Sequence, residues 1–161
     1  MQRRKIGIVL LFGIALFAAA PALAQITPTP TPETPGAVLT RWGLAGTWAV
    51  RCDLPPSAGN SHLRYVVEPD GRAFHLRDLG DQYERDRSEI LGASIAGDGA
   101  IRVTINFESL KQVRVVEFAK VAGNPKQVRA MSNRLADGPY SVKDGRFTSN
   151  GRETPAQTRC D

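Results

Sequence analysis

From Ile101 to Phe107 the chain reads Ile-Arg-Val-Thr-Ile-Asn-Phe, and this unbroken apolar/polar alternation decides what kind of fold is open to it. Successive side chains of a β-strand point to opposite faces, so Ile101, Val103, Ile105 and Phe107 share one apolar face and the polar residues share the other. An amphipathic helix would need apolar residues every three or four positions instead. The two-residue period returns on both sides of this segment. Residues 90–95 run into the turn Ala96-Gly97-Asp98-Gly99, and Gln112–Val121 carries Val113, Val115, Val116 and Phe118. There the alternation slips between Val115 and Val116, which predicts a bulge or a strand covered on both faces.

Two Asp-Gly pairs mark hairpins, because a two-residue type I′ turn needs positive φ at both central positions. Asp70-Gly71 separates residues 63–67 from 74–76. A two-residue turn there sets Val67 against Phe74 and Tyr65 against Leu76, with His62 opposite Leu79 and His75 opposite Val66. Pro69 has no N–H to donate, which leaves a longer loop open as well. Asp144-Gly145 sets Val142 against Phe147 and Tyr140 against Ser149. The pattern gives eight strands, at 46–52, 61–68, 72–78, 88–95, 100–107, 112–121, 127–133 and 140–142, with further pieces at 146–149 and 157–160. After Gly36 the helical period is confined to a single turn at 37–43. Consecutive hairpins in this number predict an all-β, up-and-down antiparallel barrel, the arrangement that removes exposed edges.

In such a barrel the inward set is Trp48, Val50, Leu63, Tyr65, Val67, Phe74, Leu76, Ile101, Val103, Ile105, Phe107, Val113, Val115, Val128, Val142 and Phe147. An eight-stranded interior is just wide enough either to be filled by side chains or to hold one small ligand. Tyr65, Phe74, Leu76, Ile105 and Phe107 are the candidates to line a cavity if there is one. Arg51, Arg64, Arg77, Arg102, Arg114 and Arg129 recur about once per strand on the other face. Interleaved Glu89, Glu108 and Glu117 make that face an ordinary charged surface rather than a lipid-binding stripe.

The first 24 residues have a separate logic. Arg3, Arg4 and Lys5 precede an uncharged apolar stretch, and Ala22-Leu23-Ala24 supplies a small-x-small end before Gln25. These are the three regions of a cleavable secretory signal, which predicts a periplasmic or secreted protein with no transmembrane anchor after cleavage; retention as an uncleaved N-terminal anchor is the alternative reading. The whole chain carries a net charge of +5, and the signal holds three of its 21 basic residues and none of its 16 acidic ones. The remainder is near neutral with its charges interleaved, so a high isoelectric point gives no support to nucleic-acid binding. Residues 25–37, rich in alternating Thr and Pro, predict an extended, solvated linker, which leaves 38–161 as one domain. Its two cysteines, Cys52 and Cys160, are expected to pair in an oxidising compartment and so to tie the first strand to the last segment.

Ala37 to Cys52 reads A-V-L-T-R-W-G-L-A-G-T-W-A-V-R-C, a short turn and then Gly46-x-Trp48 entering the first strand. This resembles the first signature of the lipocalin-like (calycin) barrels. The resemblance implies that Trp48 plugs one end of the barrel and that a late arginine, Arg152 or Arg159, packs across it. No Thr-Asp-Tyr signature follows, and no C-terminal helix. Trp48, Cys52, Asn60 and His62, followed by Asn150-Gly151-Arg152 and Cys160, also look like uncharacterised exported proteins of Gram-negative bacteria. The opening is similar, too, to that of the periplasmic metalloprotease inhibitors, which implies a disulfide-closed barrel whose extended N-terminal segment enters a protease cleft.

No catalytic or metal-binding constellation emerges. His62 and His75 are expected well apart, and neither H-x-H, H-E-x-x-H, C-x-x-C nor G-x-S-x-G occurs. Asp78, Asp81, Glu84, Asp86 and Glu89 are interspersed with Arg77, Arg85 and Arg87, as in a solvated loop rather than an acid/base pair. The expectation is a non-enzymatic exported barrel without cofactor that binds a small apolar or amphipathic ligand. The alternative is a protein-interaction module, such as an inhibitor of an envelope protease or other hydrolase.

Overall fold

The computed structural model describes residues 32–81 and 86–161. The expected signal and most of the Thr/Pro linker, residues 1–31, lie outside the described residues, as do Glu84 and Arg85. Helix α1 (Pro35–Trp42) leads into strands β1 (Gly46–Ala49), β2 (His62–Val67), β3 (Ala73–Asp78), β4 (Asp86–Ile95), β5 (Ile101–Phe107), β6 (Gln112–Val121) and β7 (Asn124–Leu135). The short strands β8 (Tyr140–Lys143), β9 (Arg146–Phe147) and β10 (Gln157–Arg159) follow. Strands β1 to β7 pair antiparallel in chain order, and β10 lies between β1 and β7, so the sheet closes into an eight-stranded antiparallel barrel. The eighth stave is therefore Gln157–Arg159 rather than residues 140–142; β8 and β9 form a hairpin that branches from the end of β7.

The helix is longer than the single turn expected and starts inside the expected linker. Thr34 caps it through Oγ1, which accepts from the Ala37 N–H at 3.3 Å, and Pro35 occupies the first helical position, where a missing N–H costs nothing. Thus the last Thr-Pro of the alternating stretch is a helix start. Gly43, at φ 89°, ends the helix, and the Leu44 N–H returns to the Leu39 carbonyl at 2.9 Å. Val38, Leu39 and Trp42 are buried against one end of the barrel. The Gly36 N–H donates to the Gly71 carbonyl at 3.0 Å in the β2–β3 turn, and the Trp42 indole N–H to the Gly99 carbonyl at 2.7 Å in the β4–β5 turn. A Cβ at Gly36 would come within 2.8 Å of the Gly71 carbonyl oxygen, so glycine permits this close seating. The helix closes that end. Trp48, Leu44, Ile101, Val103 and Val128 fill the space behind it.

Register departs from expectation at the β2–β3 turn, and the inward face of β6 departs from it after the β5–β6 turn. Between β2 and β3 the chain makes the longer loop, with the Glu68 N–H on the Arg72 carbonyl at 2.9 Å, and Tyr65 stands opposite His75 and Val66 opposite Phe74. That one-residue slip exchanges the two faces of β3. Ala73, His75 and Arg77 point inward with Tyr65 and Leu63, while Phe74 and Leu76 face out; Phe74 is covered by the Arg87 guanidinium, 3.7 Å from its ring centroid. Between β5 and β6, a 3-10 turn at Glu108–Leu110 and a left-handed Lys111 (φ 50°) set Phe107 opposite Gln112. Arg114, Val116 and Phe118 are thus inward, and Val113 and Val115 lie on the outer face. Arg77 and Arg114 accordingly belong to the interior rather than to the outer set. The Asp144-Gly145 turn forms as expected, with φ 52° and 71° and Val142 opposite Phe147.

Cys52 and Cys160 form a disulfide, with Cα atoms 5.3 Å apart and 108 residues between them in sequence. Closing a loop of this length stabilises a fold by about 4–5 kcal/mol if only the entropy of the unfolded chain is counted. The paired Cys52→Ser, Cys160→Ser variant should therefore unfold at lower urea concentration than the native protein, by about 2–5 kcal/mol. An unchanged midpoint in the variant would show that β10 holds the barrel shut unaided.

Candidate functional site

The barrel is solidly filled only in the half next to α1. In the other half a cavity of about 360 Å³ opens between the sheet and the segment that follows β9. Alternation determines its lining. Leu63 and Tyr65 reach it from β2, His75 and Arg77 from β3, Ile105 and Phe107 from β5, and Val116 and Phe118 from β6. Ala130 and Asn133 of β7, Val142 and Phe147 of the branching hairpin, and Thr154 and Gln157 complete the wall. The deeper walls are aromatic and aliphatic, and Ser61, Asn133, Thr154 and Gln157 supply neutral polar groups.

Arg77 is the charged side chain of this lining, and Asp86 and Arg114 share its face of the sheet. Arg77 stands across from Asp86, and its Nη2 is 3.4 Å from the buried carboxylate, which also accepts from the Ser88 hydroxyl at 3.4 Å. Arg114 gives its donors to neutral acceptors, Asn133 Oδ1 at 2.7 Å, Gln112 Oε1 at 3.2 Å and Ser141 Oγ at 2.6 Å. Segment 78–89 is therefore not wholly a solvated loop, since Asp86 is turned into the barrel by its pairing with Arg77.

His75, like Arg77, Val116 and Phe118, is a lining residue that sequence patterning missed. It is 4% exposed, its ring centroid lies 5.2 Å from that of Tyr65 and 5.5 Å from that of Phe107, and its Nδ1 is buried without a hydrogen-bond partner. Burial drives its pKa down to about 4, helped by the positive charge of Arg77 and opposed by Asp86, so the imidazole is neutral at neutral pH. Burial likewise pushes the Tyr65 phenol up, which keeps its proton in place. A buried polar atom with no partner costs about 1–3 kcal/mol, so His75 is not held here for stability. The signal that could have found it is Pro69, which forbids the tight turn and exchanges the faces of β3.

Of the candidate cavity residues, Tyr65, Ile105 and Phe107 line this space, and Phe74 and Leu76 do not, for the reason of register given above. Trp48 lies in the filled half. Its indole N–H donates to the Leu44 carbonyl at 2.8 Å, and the Arg159 guanidinium lies 5.9 Å from its ring centroid, so Arg159 rather than Arg152 packs across it. Gly46 adopts φ 130° beside Asp161 and Arg159. His62 is remote from His75 and bonds the Leu54 carbonyl at 3.0 Å. Among the described residues no three His, Cys, Asp or Glu side chains group as a metal site would need, and no helix is long and apolar enough to cross a membrane.

The chain thus forms a closed, disulfide-linked antiparallel barrel of eight strands, compatible with a lipocalin-like fold. Comparison with family models, with curated proteins and with solved structures gives no significant match.

The buried imidazole makes stability depend on pH. The unfolded residue titrates near 6.5 and the folded one near 4, so between these values the unfolded chain binds a proton that the folded chain does not. Stability should be unaffected by His75 above pH 6.5 and fall as pH drops from 6.5 to 4, by about 3 kcal/mol in all. Urea unfolding at a series of pH values, with His75→Leu as the control, measures this directly. Equal pH slopes for the two proteins would contradict a buried neutral His75.

Proposed function

We propose that this chain is a non-enzymatic exported protein that takes up one small amphipathic molecule in the barrel. The cavity carries this reading: at about 360 Å³ it falls within the usual size of small-molecule sites and has mainly apolar walls. Such a space would hold about a dozen waters at liquid density, and its deep walls would offer them few partners. An apolar body fits against Tyr65, Ile105, Phe107 and Phe118, and a polar end fits the neutral groups around Asn133 and Gln157. The reading requires no catalytic step, metal or cofactor. Action in the periplasm or outside the cell is supported by the disulfide and by the signal-like pattern of residues 1–24.

The test is fluorescence titration with N-phenyl-1-naphthylamine, a neutral probe whose emission rises in apolar surroundings. One saturable site is expected, with affinity lowered at least tenfold by Ala130→Phe, which fills the cavity beside Phe118. Absence of saturable binding, or equal binding by a correctly folded Ala130→Phe variant, would refute the proposal.

A further inference from the structure

Inside the cavity wall, the imidazole of His75 has no hydrogen bond at either ring nitrogen among the described residues, and Nδ1 is sealed from both solvent and partners. Its inward cross-strand neighbours do not supply one: Tyr65 meets it through its ring, and Ser88 turns its hydroxyl to Asp86. Buried N–H groups without acceptors are rarer than bare acceptors, so the proton belongs on Nε2, the nitrogen left to face the cavity. Nearby, Arg77 is already engaged by Asp86, so the floor offers dipoles rather than a free charge. The aromatic rings of Tyr65 and Phe107 flank the imidazole, and they suit a flat apolar group next to whatever accepts from it.

Building on the ligand-binding reading, we infer that His75 is the polar anchor of the cavity and that the ligand class is a flat apolar molecule bearing a neutral carbonyl-type acceptor. The carbonyl oxygen accepts from Nε2–H, and the apolar body packs between the aromatic walls. His75 is a specificity residue in this arrangement. A core position would be better served by leucine, whereas an anchor needs a donor that stays unpaired until the ligand arrives.

Two probes of the same shape separate these roles. 2-Acetylnaphthalene carries the carbonyl, and 2-isopropenylnaphthalene replaces its oxygen with a methylene group. Competition against N-phenyl-1-naphthylamine should show the ketone binding the native protein about five- to tenfold more tightly, the worth of one hydrogen bond. In His75→Leu the ratio should fall to about one while the alkene binds as before. Equal binding of the two probes to the native protein would overturn the anchor and leave the cavity reading intact; failure of both to displace bound N-phenyl-1-naphthylamine would overturn the ligand class, and failure of N-phenyl-1-naphthylamine itself to bind would overturn the cavity reading. Tighter binding of 2-naphthoate than of the ketone would overturn the neutral-acceptor class. Should His75→Leu fail to fold, ¹⁵N spectra of the native imidazole, assigned with His62→Gln, decide the matter: protonated Nε2 supports the assignment, and protonated Nδ1 refutes it.

Discussion

A strand of three residues holds this barrel shut. β10 meets β1 through Trp48–Arg159 and Ala49–Thr158, and meets β7 through Val128–Gln157 and Gln127–Thr158. So short a strand has few ladder bonds of its own, and without it β1 and β7 would both present open edges. Three further contacts fix it: the Cys52–Cys160 disulfide, the Cys160 N–H on the Thr47 carbonyl at 2.8 Å, and the Arg159 side chain laid towards Trp48 and the Gly43 carbonyl. The cavity depends on the same closure, because Gln157 is both a rung of β10 and part of the cavity wall.

Much of this architecture was legible wherever one strand face is apolar and the turn chemistry admits one register. Ile101–Phe107 alternates in burial as it alternates in sequence, and Asp144-Gly145 places Val142 opposite Phe147. The fold class, the disulfide and the position of Trp48 follow from such local signals. Elsewhere the register hung on a single residue. Pro69 excludes the two-residue turn and Lys111 adopts a left-handed conformation, and each exchanges the faces of the following strand. The site was harder to see for the same reason, since His75, Arg77 and Arg114 become interior residues only once those turns are known. Residues 157–160 were legible as a further strand piece, but not as one of the eight staves, because so short a piece carries almost no periodicity.

The interior is divided along its axis. Next to α1 the inward positions are apolar and packed except for Lys120, which lies exposed over the Trp42 ring, and this is what stability asks for. Away from α1 the same strands turn His75, Arg77, Asp86, Arg114 and Asn133 inward, at a cost in desolvation that an apolar filling would avoid. Where a sequence departs from the packing rule that it obeys elsewhere, a site is the first explanation to seek. Some neighbouring polar groups satisfy one another, through Arg77 with Asp86 and Arg114 with Asn133, and among the described residues Nδ1 of His75 is the fully buried side-chain polar atom left without a partner.

That division also gives the molecule a selective optical reporter. Both tryptophans of the chain belong to the packed half, each with its indole N–H on a backbone carbonyl and a cation near its ring: Lys120 beside Trp42, Arg159 beside Trp48. The cavity holds Tyr65, His75, Phe107 and Phe118 but no indole. Intrinsic emission excited at the red edge therefore follows the seating of α1 and the closing strand, and a ligand that does not absorb in the range of tryptophan emission leaves it largely unchanged. Integrity of the scaffold and occupancy of its interior can be recorded in one sample as separate signals.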